Sequence, residues 1–199
     1  MLKKRVKRTL RYTRYIYYRE TLVNREEKFW SFLGSFIGIG LIAFWQSFLL
    51  KDSDSLFLIG SFGASSVLVF GLIQSPLAQP RNLIGGHLIS AFVGVSVQSL
   101  LPEIIWLTAP LAVSLSIIAM QFTKTLHPPG GATALLAVIG SEKIKLLGYN
   151  YILFPVLSGA LVLLLVALIF NNITPNRKYP VSNNYKKRLK RLFFIRQRS

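Results

Sequence analysis

Five apolar stretches decide what this chain can fold into: Phe29 to Leu50, Leu56 to Ile73, Leu83 to Leu101, Ile104 to Phe122 and Tyr151 to Phe170. None contains an acid, a lysine or an arginine, and each runs 18 to 22 residues. As helices they reach about 27 to 33 Å, close to the hydrocarbon thickness of about 30 Å. A bilayer offers the backbone no water, so a segment that crosses must close its hydrogen bonds internally. The expected fold is therefore all-α, a polytopic helical membrane protein. Only 16% of the 199 residues are charged, against roughly a quarter in soluble domains.

The net charge of +17 would suggest nucleic acid if it were spread over a surface, but it sits at the two ends. Residues 1–28 hold ten Lys/Arg against three Glu, and residues 171–199 hold nine Lys/Arg and no acid. The chain thus divides into a basic N-terminal segment (1–28), a transmembrane domain (29–170) and a basic C-terminal tail (171–199). Basic flanks beside apolar spans mark the cytoplasmic side and attract anionic headgroups, so both termini are expected in the cytoplasm and no nucleic-acid partner is expected. Tyr12, Tyr15, Tyr17 and Tyr18 interleave with arginines as in a helix lying at a membrane interface. That segment does not read as a cleavable signal. With no cysteine, disulfides and thiolate metal sites are excluded.

Between the fourth and fifth stretches lies His127-Pro128-Pro129-Gly130-Gly131-Ala132-Thr133. Paired prolines stop an incoming helix, yet proline suits the first turn of a new one, so the chain should break here and restart through Ala132 to Gly140. The first amides of that short helix are expected to be bare, a setting for a small anion. Gly60 to Gly71 (GSFGASSVLVFG) reads like PPGGATALLAVIG from Pro128, with Gly63-Ala64-Ser65 matched to Gly131-Ala132-Thr133. Each half then becomes a long span, a short glycine-broken segment and another long span. Two such three-element repeats give six crossings, favoured over four because six place Arg81 and Lys124 inside and Lys143 and Lys145 outside. In this reading the Ser141 to Asn150 loop faces outward.

The candidate substrate-binding residues follow from those breaks: Gly63, Ser65 and Ser66 at the first, Gly130, Gly131 and Thr133 at the second. Glycine lets an anion approach the amides, and each hydroxyl adds a donor. His87, inside the third stretch, and His127 join them, because an ionisable side chain in a bilayer is costly. Arg81 and Lys124 are placed to attract an anion, or to anchor topology. The glycines of the first and third stretches, Gly34, Gly38, Gly40, Gly85, Gly86 and Gly94, are assigned to close helix packing. All seven acids fall in tails or short loops, so intramembrane carboxylates of the kind used in proton relays and cation pathways are absent. Two histidines without a nearby acid or cysteine make neither a metal site nor a catalytic pair. No enzyme activity and no cofactor are expected.

The runs HPPGGATALLAVIG and SFGASSVLVFGLIQSPLAQPRNLIGGHL resemble the HPP family of small integral membrane proteins, over about Phe29 to Phe170. The family motif falls on His127, Pro128, Pro129, Gly130 and Gly131, and a second block on Ser75, Pro76, Gln79, Pro80, Gly85, Gly86 and His87. The resemblance implies a protein of bacterial or plastid membranes, with some members associated with nitrite transport, and four spans rather than six. The expectation is a transporter or channel for a monovalent inorganic anion, nitrite first, in a bacterial plasma membrane. The chain holds no GxxxxGK[ST] motif for ATP. A homo-oligomer is compatible with a core this small. The alternative is a membrane scaffold or sensor subunit whose basic tails bind lipid or a partner protein.

Overall fold

Every described element of the computed structural model, which covers residues 25–48 and 52–181, is helical. The expected interfacial helix around Tyr12 to Tyr18 and the far end of the basic tail lie outside the described residues. The elements are α1 (Arg25–Ser47), α2 (Asp52–Ser66) running into a π-helical turn (Val67–Gly71), a 3-10 turn (Pro76–Ala78), α3 (Pro80–Leu100), α4 (Ile105–Thr123), α5 (Gly130–Ile139), α6 (Glu142–Leu146), a second π-helical turn (Ile152–Leu157) and α7 (Ser158–Phe170). Four helices among the described residues are long and apolar enough to cross a membrane: Arg25–Ser47, Pro80–Leu100, Ile105–Thr123 and Ile152–Phe170. The apolar helices Leu58–Gly71 and Gly130–Ile139 are shorter.

The helices pack through stripes at a spacing of about four residues, the same-face period of an α-helix. On α1 the buried positions are Gly34, Gly38, Ile42 and Gln46, while Phe32, Phe36, Phe44 and Trp45 point outward. On α4 they are Thr108, Ala112, Ser116 and Met120. Buried small residues beside exposed aromatics are the reverse of a soluble protein, and fit helices solvated by lipid. α3 is the central element, with α4 and α5 against it, and its stripe of Gly86, Ser90 and Gly94 lies on α5. A Cβ at Gly94 would come within 2.5 Å of the Ala134 carbonyl oxygen, so only glycine permits this approach.

Local chemistry sets the breaks. Ser75 Oγ caps the 3-10 turn by accepting from Leu77 N at 3.2 Å, and Pro80 opens α3 at a position that needs no amide donor. α4 ends on Lys124 in the left-handed conformation (φ 57°). The chain then enters the His-Pro-Pro run, Thr125 beside Gly85 and His127 beside Gly86, before α5 begins at Gly130. The predicted restart is present, two residues earlier than Ala132.

The expected break at Gly63 is not found. α2 is continuous from Asp52 through Gly60 and Gly63 to Ser66, and the irregular backbone comes only after it, in the π-helical turn. A single glycine costs a helix about 1 kcal/mol, which packing offsets easily. The His-Pro-Pro run differs because two prolines remove donors and clash with the preceding turn. The described part of the basic tail also folds back. Arg177 is buried, its guanidinium donating to Glu27 O (2.9 Å), Ser31 Oγ (3.1 Å), Phe70 O (2.9 Å) and Asn171 Oδ1 (2.7 Å).

Candidate functional site

Five polar side chains from four segments meet in the core. Ser61 and Ser65 lie one turn apart on α2, His87 is on α3, His127 precedes the two prolines and Thr133 is in the first turn of α5. All five are buried. Ser65 Oγ lies between the two rings, 2.8 Å from His87 Nε2 and 2.9 Å from His127 Nε2. The outer nitrogen of His87 meets Thr133 Oγ1 at 2.7 Å, and Thr133 Oγ1 meets Ser61 Oγ at 2.9 Å. His127 Nδ1 lies 2.8 Å from the Leu77 carbonyl, which only accepts, so that nitrogen carries a hydrogen and donates. Ser61 reaches the Pro129 carbonyl at 2.9 Å.

The surroundings are close-packed. The Phe62 ring tilts against His87 with centroids 4.8 Å apart, and the two imidazole centroids are 5.1 Å apart. A Cβ at Gly86 would fall 2.4 Å from His127 Cβ, and one at Gly130 would fall 2.7 Å from Ser90 Oγ. These two glycines therefore bring the His-Pro-Pro run flush against α3. Tyr151 donates to the Thr133 carbonyl at 3.0 Å, fixing α5 from the far side.

Of the residues singled out in the sequence, Ser65, His87, His127 and Thr133 come together here. Gly130 lies beside them in a packing role. Gly131 faces Val113 at 3.7 Å, Gly63 sits in mid-helix facing open space, and Ser66 is buried with its hydroxyl unbonded to protein. The anion cradle of bare amides is not formed. The amides of Gly130, Gly131 and Ala132 donate to the carbonyls of His127 (2.8 Å), Pro128 (3.1 Å) and Pro129 (3.1 Å). The turn that the prolines impose supplies these partners, and at Gly63 the continuous helix does so. Arg81 and Lys124 are exposed at the end of the bundle where the His-Pro-Pro run begins, Arg81 donating to Thr123 O at 2.8 Å.

Ser61, Tyr151 and Arg177 were not anticipated. Ser61 was legible, since it precedes Ser65 by four residues and so shares its helix face. Tyr151 and Arg177 carry little local signal, because apart from Asn171, close to Arg177 in the chain, the partners named above lie 18 to 150 residues away. At the opposite end of the bundle Lys145 pairs with Glu103 (2.7 Å) and Glu142 (3.1 Å), tying α6 to the loop between α3 and α4. Those carboxylates, the bonded Glu103 first, hold the ammonium above its ordinary pKa.

Comparison with known proteins places this arrangement. The family model described as "HPP, transmembrane region" matches residues 20–180. A transmembrane protein of Dictyostelium discoideum is 50% identical over 159 residues, 78% of this chain and 51% of that protein. A second from the same organism is 48% identical over 166 residues, 82% of this chain and 58% of the relative. The chain thus spans a little over half the length of the curated relatives it matches. No solved structure matches. A match across most of the chain, including the His-Pro-Pro run at the centre of the buried network, means that this protein belongs to the HPP transmembrane family.

Proposed function

We propose that this protein is a transporter or channel for a small monovalent anion, nitrite first, with Ser61, Ser65, His87, His127 and Thr133 as its working centre. The observation that carries the reading is the centre itself: two imidazoles and three hydroxyls gathered in the buried core and bonded to one another, with no carboxylate among them. Buried polar groups at membrane depth are costly, and they concentrate on substrate and ion pathways. Donors without acids suit an anion. The centre binds rather than catalyses, since Ser65 Oγ is fully enclosed between two rings and no acid orients either histidine.

Six crossings with both termini in the cytoplasm belong to the same proposal. Twenty helical residues from Asp52 to Gly71 reach about 30 Å. The run from Thr125 to Ile139 joins three non-helical residues and a two-proline turn to ten helical residues. That run starts beside Gly85, five residues into α3, and ends near Glu103 and Lys145 at the far end of α3. The repeat gains support from Ser65 and Thr133, matched in sequence and joined to the same His87. Homo-oligomerisation through the exposed apolar faces is part of the proposal. The relatives' amoebal source lends no support to a bacterial plasma membrane.

The test is flux. Purified full-length protein in lipid vesicles should take up nitrite saturably, in preference to chloride, nitrate and formate, and without a partner protein. Uptake of none of the four would reject transport and favour the scaffold reading.

A further inference from the structure

The five side chains form one file of contacts between two backbone carbonyls, with a single side contact from Ser65 Oγ to the Ser61 carbonyl at 3.1 Å. In order it runs Leu77 O, His127, Ser65, His87, Thr133, Ser61, Pro129 O, with separations of 2.8, 2.9, 2.8, 2.7, 2.9 and 2.9 Å. Both terminal carbonyls only accept. Six contacts require six hydrogens. The five side chains, when neutral, carry one each.

The file is therefore one proton short, and the Leu77 carbonyl fixes where the shortage falls. His127 must place its hydrogen on Nδ1, so its Nε2 is bare and takes the hydrogen of Ser65. The Ser65 oxygen then accepts from His87 Nε2, His87 Nδ1 takes the hydrogen of Thr133, and Thr133 accepts from Ser61. Nothing remains for the Pro129 carbonyl, which keeps the Ala132 amide as a partner. The neutral file leaves only the Ser61–Pro129 contact without a hydrogen. One added proton at Ser61 fills all six contacts by transfer along the file: Ser61 passes its hydrogen to Thr133, Thr133 passes its own to His87 Nδ1, His87 gives up its Nε2 hydrogen to Ser65, and Ser65 passes its own to His127 Nε2. Each new bond replaces one broken, the new Ser61 hydrogen points to the Pro129 carbonyl, and His127 Nδ1 keeps its hydrogen on Leu77 O.

We propose that this file is a site for one shared proton, taken up together with the anion so that one proton and one anion move as an electroneutral pair. This deepens, and rests on, the reading of the protein as an anion transporter. A second proton would put two charged rings 5.1 Å apart in a poorly screened core. It would also divert the Ser65 hydrogen to the Ser61 carbonyl, a longer contact of 3.1 Å to a group already within the α2 ladder. One proton loses no contact.

The anion enters because no described residue facing the file supplies a counter-charge. From α2 the file is faced by Ser61, Phe62 and Ser65, from the following turn by Leu77 O, from α3 by His87 and Ser90, and from α4 by Met120 against Ser90. From α5 it meets Thr133, behind which stands the phenol of Tyr151 with its hydrogen committed to Thr133 O, and beyond Leu77 the buried phenol of Tyr179 donates to Ala78 O. Arg81 and Lys124, at the same end, are exposed. An uncompensated positive charge in this setting is expensive, and a monovalent anion beside the ring removes that cost.

Two measurements on wild-type protein decide it. In the first, full-length protein with 15N-labelled histidine is reconstituted in lipid and followed by NMR between about pH 5 and 8, with nitrite and with gluconate. The expected result is a single proton shared by both rings, bound more tightly with nitrite present. Two independent titrations, or no effect of nitrite, would overturn the proposal. In the second, vesicles carry an inward proton gradient, with the potential clamped at zero or near 100 mV by potassium and valinomycin. The expected result is nitrite accumulation of about tenfold per pH unit, equal at both potentials. Uptake that ignores the gradient or follows the potential would overturn coupling while leaving anion transport standing. Absence of all uptake beside a normal shared titration would reject the transport reading instead, and coupling with it. Ser65→Ala, which cuts the file between the rings, should make each histidine titrate alone, and Ser65→Cys should restore part of the sharing.

Discussion

At the scale of single residues, the same residue type does opposite work at positions that read alike. Gly94 touches the α5 backbone, whereas a Cβ at Gly63 would meet nothing within 4 Å. Gly94→Ala should therefore push α5 off α3 and cost about 1 to 3 kcal/mol, the usual penalty of overpacking. Gly63→Ala should leave stability unchanged or raise it by up to about 1 kcal/mol, because alanine is the better helix former. Thermal unfolding in detergent measures both, and a Gly63→Ala protein as unstable as Gly94→Ala would contradict the open setting of Gly63. The histidines show the same dependence on place. The sequence marks both as unusual, but a single serine hydroxyl, reached from α2, makes them one unit.

At the scale of elements, the turns matter more than the spans. The π-helical turn at Val67–Gly71 leaves the Phe70 carbonyl without a helical partner, and Ser31 Oγ (2.8 Å) and the Arg177 guanidinium (2.9 Å) take it. Arg177 thereby joins α1, α2 and the chain beyond α7 from a single fork, a geometry that lysine cannot reproduce. Burial draws its pKa below the ordinary value, against the pull of nearby Glu27. The group stays charged, since arginine is not deprotonated in proteins. Arg177→Ala should cost about 3 kcal/mol, as hydrogen bonds to charged groups run about 1.5 to 3 kcal/mol each and the carbonyls would be left buried. Arg177→Lys should fall between the two. Limited proteolysis of the tail read beside thermal unfolding checks this: an Arg177→Ala protein with wild-type stability would show the fork to be dispensable.

At the scale of the molecule, the ends of the bundle separate cleanly. Arg81, Lys124 and Arg177 lie toward one end, and Glu103, Glu142 and Lys145 toward the other. Because the chain has no cysteine, single introduced cysteines report sidedness without background. Six crossings predict that cysteines at Ser99 and Lys143 react with an impermeant reagent from outside, and that those at Arg81 and Lys178 react only from inside. Reaction of positions 99 and 143 from opposite sides would remove one crossing and with it the inverted repeat.

The sequence by itself determined the solvent. Runs of 18 to 22 apolar residues bounded by charge admit a helical bundle in lipid and little else, because backbone hydrogen bonding there must be local. It also determined the break at His127 to Gly130, since proline acts on its own neighbours. Tertiary structure alone decided what the break is for. The amides that looked bare are bonded within the turn, and the anticipated cradle gives way to a file of side chains drawn from residues 61 to 133. Such contacts depend on which faces of α2, α3 and α5 meet. A stripe of small residues says that helices come close, but which helix comes close is a property of the whole bundle.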